Sequence, residues 1–194
     1  MSLLIALLST TKYGSFVAIN HFRSYPADLI FTFFTILGNG VILIPLAGLF
    51  IWKKNYEVLI GVLLAILLNT LFVSILKHAF DLPRPLASYG EHIVRTAHWI
   101  KLHTKYAFPS GHTALAFCLG SYLSLSFYRY RNITVLCFFS AALVGYSRIY
   151  LGQHFLRDVW LGSLLGVLIA IFTFRLVQYT ATKLAMKRNR DANQ

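Results

Sequence analysis

Long runs without a charged residue dominate the pattern of this chain. No charged side chain occurs from Leu29 to Trp52 or from Val58 to Leu76. A helix needs about twenty apolar residues to cross a bilayer, where every backbone polar group must be bonded within the protein. Both runs are long enough, and further apolar stretches follow them. The pattern predicts an all-α membrane helix bundle with five transmembrane helices, at about 27–52, 57–79, 109–128, 133–151 and 155–179.

Residues 1–26 depart from this pattern. The apolar residues near the start are followed at once by Thr10, Thr11 and Lys12. A lysine inside a span costs about 2.5–3.5 kcal/mol on insertion scales, and a signal peptide carries its positive residues before its apolar stretch rather than after it. The segment is therefore predicted to be an N-terminal interfacial helix, with a sixth span as the alternative.

The segments between the spans predict the orientation of the chain in the membrane. Most are short, but 80–108 is long enough to be an extramembrane loop, and 180–194 is a basic tail. The tail shares its side of the membrane with four basic loop residues, Lys53, Lys54, Arg129 and Arg131. Because positive loop residues stay inside, this side is predicted to face the cytoplasm.

Composition supports the membrane prediction and limits the classes of partner that the chain is expected to bind. The chain is 57% hydrophobic and 12% charged, whereas a soluble domain carries about 25% charged residues. The net charge of +12 could suggest nucleic acid, but the basic residues lie in loops, at helix ends and in the tail rather than along one stripe. We therefore expect no nucleic-acid partner and an affinity for anionic lipid.

Five polar side chains that a spanning helix disfavours lie at predicted helix ends: Lys77, His112, Arg148, His154 and Asp158. With five alternating spans, all of them fall on the side opposite the basic tail. Ionisable groups at such depth are costly, so their presence predicts a functional site. They belong to three short motifs.

The first motif, Lys77-x6-Arg84-Pro85, ends the second predicted span. Pro83 and Pro85 remove backbone donors and hold the chain extended around Arg84. An ammonium and a guanidinium would then face the same space. Arginine binds phosphate bidentately, while lysine supplies a point charge. The alternative is that both side chains snorkel to the membrane surface.

The second motif, Pro109-Ser110-Gly111-His112, begins the third predicted span. Proline suits the first helical turn, and Ser110 is a natural N-cap. The free N–H groups of Gly111 and His112 would point at an anion together with the positive end of the helix dipole. Gly111 lets an oxyanion approach the backbone, and His112 is placed to give or take a proton. A plain helix start explains the proline and the serine but not the histidine.

The third motif is Ser147-Arg148-x5-His154-x3-Asp158. Gly152 allows the chain to break between two helices, so that Arg148 and His154 can both turn inward. His154 and Asp158 are four residues apart and would stack within hydrogen-bond reach. A carboxylate on one imidazole nitrogen fixes the tautomer and leaves the other nitrogen free to act as a nucleophile. The alternative is an ordinary ion pair on a helix surface.

Together the three motifs resemble the signature of the type-2 phosphatidic-acid-phosphatase superfamily, which also includes vanadium haloperoxidases and glucose-6-phosphatase. The family pattern is K-x6-RP, PSGH and SR-x5-H-x3-D, and it stands here as KHAFDLPRP, PSGH and SRIYLGQHFLRD. The resemblance covers residues 58–175. It implies a single membrane-embedded phosphatase domain that works without a metal or another cofactor.

The resemblance also implies roles for the motif residues. His154 would attack phosphorus to form a phosphohistidine, Asp158 would orient it, and His112 would protonate the leaving oxygen and then activate water. The phosphoryl oxygens would be held by Lys77, Arg84, Ser110, Gly111 and Arg148. Three fixed cations can stabilise phosphoryl transfer in place of Mg²⁺.

The expected substrate is a lipid phosphate or pyrophosphate in the bilayer. Candidates are lipid A phosphate, undecaprenyl pyrophosphate, phosphatidylglycerol phosphate and phosphatidic acid. Such lipids place the enzyme in the bacterial inner (cytoplasmic) membrane, with the motifs on the periplasmic or extracytoplasmic side. Three cations of the 86–107 loop, Arg95, Lys101 and Lys105, exceed what one phosphate needs and are predicted to bind a large headgroup. Alternatively, the loop lies on anionic lipid.

Other function classes fit the pattern less well. A metal site would have to use His92, His98 and His103, which lack the i, i+4 spacing of a strong zinc motif. A transporter-like membrane protein would place ionisable groups near mid-membrane, in paired halves. A lipid phosphotransferase shares every motif and stays open as an alternative. The sequence predicts no oligomeric state.

Overall fold

The computed structural model describes residues 12–192, and these residues form helices and connecting segments without a strand. The helices are α1 (Lys12–Asn20), α2 (Tyr25–Leu37), α3 (Leu43–Trp52), α4 (Tyr56–Phe80), α5 (Pro85–Tyr89), α6 (Gly111–Ser126), α7 (Arg131–Tyr150) and α8 (Leu156–Ala192). The predicted all-α class is confirmed for this part of the chain.

The described residues include three segments long and apolar enough to cross a membrane: Tyr56–Tyr89, Arg131–Tyr150 and Leu156–Asp191. Two shorter apolar helices, α2 and α3, accompany them. Large apolar side chains such as Leu67 and Phe172 are exposed on the outside of the bundle, which is the distribution expected where the surrounding solvent is lipid rather than water. The structure is that of a membrane helix bundle.

The first predicted span differs from the structure. Residues 27–52 were expected to form one helix, but they are divided between α2 and α3, with turns over 38–42. The sequence Gly38-Asn39-Gly40 accounts for the break, because Gly40 has φ +84°, a conformation that glycine adopts without steric cost. The break also brings Gly38 close to α6 and α7, as described below.

The centre of the bundle is built on close backbone contacts between α6 and α8. A Cβ atom on Gly162 would lie 2.7 Å from the Ser110 carbonyl oxygen, and one on Gly166 would overlap the Ala114 carbonyl oxygen. Small residues on one helix face let membrane helices approach closely without a hydrophobic driving force. This contact fixes the start of α6 against the second and third turns of α8, beside the ends of these helices where two of the three motifs lie.

The N-terminal helix α1 packs on the same end of the bundle. Phe16 is buried against Val94, Ile149 and Phe155. The Asn20 amide donates to the carbonyl oxygens of Arg95 and Tyr150 and accepts from the Arg95 N–H. The remainder of the predicted interfacial helix or extra span, residues 1–11, lies outside the described residues.

Two further predicted segments carry more helix than expected. The extramembrane loop 80–108 contains the short helix α5, and the basic tail from residue 180 onward continues α8 as far as Ala192. The loop is tied down by backbone bonds from the Arg84 N–H to the Thr104 carbonyl (2.9 Å) and from the Ala107 N–H to the Leu82 carbonyl (2.9 Å). It is therefore a structured cover over one end of the bundle.

Candidate active site

Of the two cations of the first motif, Arg84 is buried and Lys77 is half-buried. Lys77 is in the last turn of α4, and its Nζ is 3.7 Å from the position that a Cβ atom on Gly111 would occupy. Arg84 is only 8% exposed. Its Nε donates to the Lys105 carbonyl at 2.8 Å, and its Nη1 donates to Gln153 Oε1 at 2.9 Å. Arg84 therefore does not snorkel to the membrane surface, and Lys77 lies beside the start of α6.

The second motif forms the start of α6. Ser110 is the N-cap residue, but its hydroxyl is hydrogen-bonded to Thr113 Oγ1 (2.8 Å) rather than to a backbone N–H. The Ser110 N–H donates to the Asp158 carbonyl at 3.0 Å, which joins this motif to the third. The first N–H groups of a helix have no partner within it. The turn at Gly111 and His112 therefore presents open donors beside the Lys77 ammonium.

The third motif spans the junction between α7 and α8. Arg148 is 5% exposed and lies in the last turn of α7, with Nη1 donating to Thr35 Oγ1 at 2.6 Å. Gly152 has φ +70°, so the chain breaks at the predicted place. The N–H groups of Gln153 and His154 then donate to the Arg148 carbonyl at 2.9 and 3.1 Å. This turn holds the imidazole of His154 beside the guanidinium of Arg148.

His154 and Asp158 are neighbours without a tight hydrogen bond. His154 Nδ1 lies 3.6 Å from Asp158 Oδ2, slightly beyond hydrogen-bond length. The carboxylate instead accepts from the Phe155 N–H at 2.9 Å, which leaves Nδ1 without a hydrogen-bond partner among the described residues. A shift of a few tenths of an ångström would close this contact, as happens in many sites on substrate binding.

The electrostatic setting of His154 favours a neutral imidazole. The side chain is 1% exposed, and burial lowers its pKa well below the ordinary value. The charges of Arg84, Arg148 and Lys77 lower the pKa further. An imidazole with a depressed pKa is unprotonated at neutral pH, and only the unprotonated ring can attack an electrophile. The same cations would attract the anionic substrate.

The 86–107 loop is joined to the site through its backbone. The carbonyl groups of Lys101 and Lys105 accept hydrogen bonds from Gln153 Nε2 (2.9 Å) and Arg84 Nε (2.8 Å). The carbonyl of Arg95 is held by Asn20. All three basic side chains are exposed.

Two side chains of the site were not predicted from the sequence. Gln153 is 2% exposed and bridges Arg84 to the Lys101 carbonyl. Thr35, on α2, binds Arg148. Gln153 directly precedes His154, and this adjacency was the one available signal. Thr35 is one of two threonines in the uncharged run 29–52.

A metal centre is not formed by the histidines of the loop. Within the part of the chain that the structure describes, no three His, Cys, Asp or Glu side chains lie close enough together to hold a metal ion. His92, His98 and His103 are thus not gathered into such a group.

Comparison with known proteins agrees with this geometry. The sequence model described as the PAP2 superfamily matches residues 58–181. The crystal structure of Aquifex aeolicus LpxE superposes with a TM-score of 0.72 at 36% identity, covering 82% of this chain and 92% of that one. The transmembrane PAP2-type phosphatidylglycerolphosphate phosphatase from Bacillus subtilis gives a TM-score of 0.70 at 26% identity, covering 93% of this chain and 92% of that one.

A longer relative is also similar. Dihydrosphingosine 1-phosphate phosphatase C823.11 of Schizosaccharomyces pombe is 28% identical over 167 residues, which are 81% of this chain and 40% of the relative. The chain thus spans less than half the length of that relative, although it matches almost the whole of both crystal structures.

Proposed function

Because this chain belongs to the PAP2 superfamily, we propose that it is an integral membrane phosphatase that hydrolyses a lipid phosphate or pyrophosphate at the membrane surface. The observation that supports this best is the meeting of three cations, Lys77, Arg84 and Arg148, around one buried, neutral histidine, His154. A buried cluster of positive charge needs an anionic partner, and a phosphate ester is the anion that the neighbouring nucleophile can attack.

The proposed reaction has two steps. The His154 imidazole attacks phosphorus and the bond from phosphorus to the lipid oxygen breaks, while His112 donates a proton to that oxygen. Water then attacks the phosphohistidine, with its proton passing to His112, and inorganic phosphate leaves. Throughout, Lys77, Arg84 and Arg148 stabilise the charge on the phosphoryl oxygens, assisted by Ser110 and the Gly111 N–H.

We further propose five spans, formed by α2 with α3, then α4, α6, α7 and α8, with α1 at the surface. Lys77 and Arg148 both lie in the last turns of their helices. The basic residues near the starts of α4 and α7 therefore lie at the opposite end of the bundle. The positive-inside rule places that end in the cytoplasm. The site then faces the periplasm or the extracytoplasmic side of a bacterial inner membrane.

The activity is tested with purified protein in detergent. The substrates are lipid A, undecaprenyl pyrophosphate, phosphatidylglycerol phosphate and phosphatidic acid, and released inorganic phosphate is measured with and without EDTA. We expect phosphate release from at least one lipid in either condition. Transfer of phosphate to a second lipid without release would favour the phosphotransferase alternative. Loss of activity in EDTA with recovery on adding zinc would contradict the metal-independent mechanism.

The substrate class is proposed to be a lipid with a large polyanionic headgroup, such as the phosphorylated disaccharide of lipid A. Arg95, Lys101 and Lys105 have exposed side chains in the loop whose backbone is hydrogen-bonded to Arg84 and Gln153. The three motif cations already suffice for one phosphate. Arg95→Ala with Lys101→Ala should lower kcat/KM about tenfold on the preferred lipid, about 1.4 kcal/mol. A short soluble phosphate ester should be almost unaffected.

A matched control removes one lysine and one arginine from the other end of the bundle, as Lys53→Ala with Arg129→Ala. Both residues are exposed, and this pair should leave the preference among lipids unchanged. Equal losses on all anionic lipids in the loop variant would show that the loop attracts the membrane surface and does not read the headgroup.

A further inference from the structure

The C-terminal half of α2 contacts the candidate phosphate site directly. Arg148 Nη1 donates to Thr35 Oγ1 at 2.6 Å, and Thr35 is 6% exposed. Thr35 belongs to none of the three motifs and lies before residues 58–181, which match the PAP2 superfamily. A helix outside the matched segment therefore supplies a hydrogen-bond partner to a cation of the site.

The buried guanidinium of Arg148 requires hydrogen-bond acceptors such as the Thr35 hydroxyl. Arginine has five N–H donors and no acceptor, and a buried charge is costly unless it is hydrogen-bonded. Thr35 binds Nη1, and Nε has no hydrogen-bond partner among the described residues. Nε–H and an Nη2–H form a parallel fork that matches two phosphate oxygens. With Nη1 held by Thr35, this fork is left for a phosphate.

Thr35 is itself held by the third motif. Ser147 Oγ donates its single hydrogen to the Val144 carbonyl at 2.7 Å, so it accepts from Thr35 Oγ1 at 3.2 Å. The threonine hydroxyl thus donates to Ser147 and accepts from Arg148, and it is held by both residues of the Ser147-Arg148 pair. This gives Ser147 a part in the site: it fixes the hydroxyl that fixes Arg148.

The same end of α2 also approaches the proposed acid–base residue. A Cβ atom on Gly38 would lie 3.1 Å from His112 Cβ and 2.7 Å from Val144 Cγ1. Gly38 and Thr35 are three residues apart and lie on the same side of the helix. The end of α2 therefore contacts the site from two positions, Thr35 at the cation and Gly38 at the histidine.

We propose that Thr35 is a positioning residue that orients the Arg148 guanidinium so that its Nε–Nη2 fork faces the phosphoryl group. This inference rests on the proposed phosphatase site, because it takes Arg148 to bind phosphate. The proposal extends the site to α2. This helix lies outside the matched segment and is then required for catalysis as well as for packing.

The test replaces the hydroxyl without changing the shape of the side chain. Thr35→Val leaves Nη1 of Arg148 unpaired, and we expect kcat/KM on a soluble phosphate ester to fall at least tenfold, with inhibition by vanadate weakened by a similar factor. Thr35→Ser keeps the hydroxyl and should stay within about threefold of wild type. Thr173→Val is the control, since Thr173 is equally buried but donates within its own helix to the Ile169 carbonyl.

A double variant separates positioning from packing. If Thr35 acts through Arg148, Thr35→Val should cause no further loss in an Arg148→Ala protein, because the two changes remove the same interaction. Independent, additive losses would contradict the proposal. So would full activity and unchanged vanadate inhibition in Thr35→Val. Should the valine variant fail to elute as a folded protein in detergent, Thr35→Ala is compared with Thr35→Ser by the same measures.

Failure of this inference differs from failure of the proposed function. If Arg148→Ala hydrolyses lipid phosphate normally, Arg148 does not bind phosphate and the proposed site is wrong. If Arg148→Ala is inactive while Thr35→Val is normal, the site stands and only the role of Thr35 is wrong.

Discussion

At the scale of single residues, the cations of the site are held by neutral groups. Arg84 donates to a backbone carbonyl and an amide, and Arg148 donates to a hydroxyl. Asp158 is the one buried acidic side chain among the described residues. Because no carboxylate is hydrogen-bonded to either arginine, their positive charge is oriented but not neutralised. It remains available to an anionic substrate, which a conventional salt bridge would have prevented.

The proposed nucleophile can be tested by trapping its product. Rapid quenching of wild-type protein with labelled substrate should give an acid-labile phosphoenzyme, because phosphohistidine hydrolyses in acid. His154→Asn should yield no phosphoenzyme and lose activity by about a thousandfold or more. His21→Asn, at an exposed histidine outside the motifs, is the control and should behave as wild type. Near-normal turnover in His154→Asn would exclude the covalent mechanism through this residue.

The motif residues could be predicted because their chemistry is local in sequence. Spacing placed His154 near Asp158, and Gly152 marked the break between helices. The separation of 3.6 Å between Nδ1 and Oδ2 could not be predicted, because the Asp158 carboxylate also caps the Phe155 N–H at the start of α8. Thr35 could not be predicted either, since its partner Arg148 is 113 residues away and only tertiary packing brings them together.

At the scale of helices, hydrophobic runs predicted the membrane segments but not every break. The run 29–52 contains no charged residue, and yet the chain turns at Gly38-Asn39-Gly40. Two glycines around an asparagine are a turn signal, which the length of the apolar run obscured. This break affects the proposed site, because the turn lets the end of α2 contact His112 and Arg148 rather than continue along the bundle surface.

The glycines of α8 give a test of helix packing with a matched control. Gly166→Ala would place a methyl group 2.8 Å from the Cys118 nitrogen and against the Ala114 carbonyl oxygen. Because the obstruction is backbone, α6 and α8 must separate, and we expect a loss of about 1–3 kcal/mol or more in stability together with lower activity. Thermal unfolding in detergent measures the first effect and phosphate release the second.

Gly48→Ala is the control for this change, because a Cβ atom on Gly48 would meet nothing within 4 Å. Alanine favours a helix over glycine by up to about 1 kcal/mol, so Gly48→Ala should leave the midpoint of unfolding unchanged or raise it. An unchanged midpoint in Gly166→Ala would mean that α6 and α8 are farther apart than the structure shows.

At the scale of the whole molecule, the two ends of the bundle carry positive charge for different reasons. At one end, Lys77, Arg84 and Arg148 are partly or fully buried and are proposed to bind substrate. At the other end, Lys53 and Arg129 are exposed. A count of charges does not distinguish the motif cations from Lys53 and Arg129, whereas the burial of their side chains does. Removing Lys77, Arg84 and Arg148 from the count leaves the exposed loop cations Arg95, Lys101 and Lys105 at the site end. The second end has Lys53, Lys54, Arg129, Arg131 and the basic tail, so the positive-inside rule favours the second end as the cytoplasmic one.

The last prediction concerns that topology. Single cysteines at two exposed positions, Glu91→Cys in the loop and Asn189→Cys near the end of α8, are placed in a background with Cys118→Ala and Cys137→Ala. In intact cells, an impermeant thiol reagent should label position 91 and not position 189, because the site end is proposed to face out of the cytoplasm. A permeant reagent should label both and shows that each thiol is reactive. Labelling of position 189 alone by the impermeant reagent would mean that the topology is the reverse of the one proposed. The site would then take its substrate from the cytoplasmic leaflet.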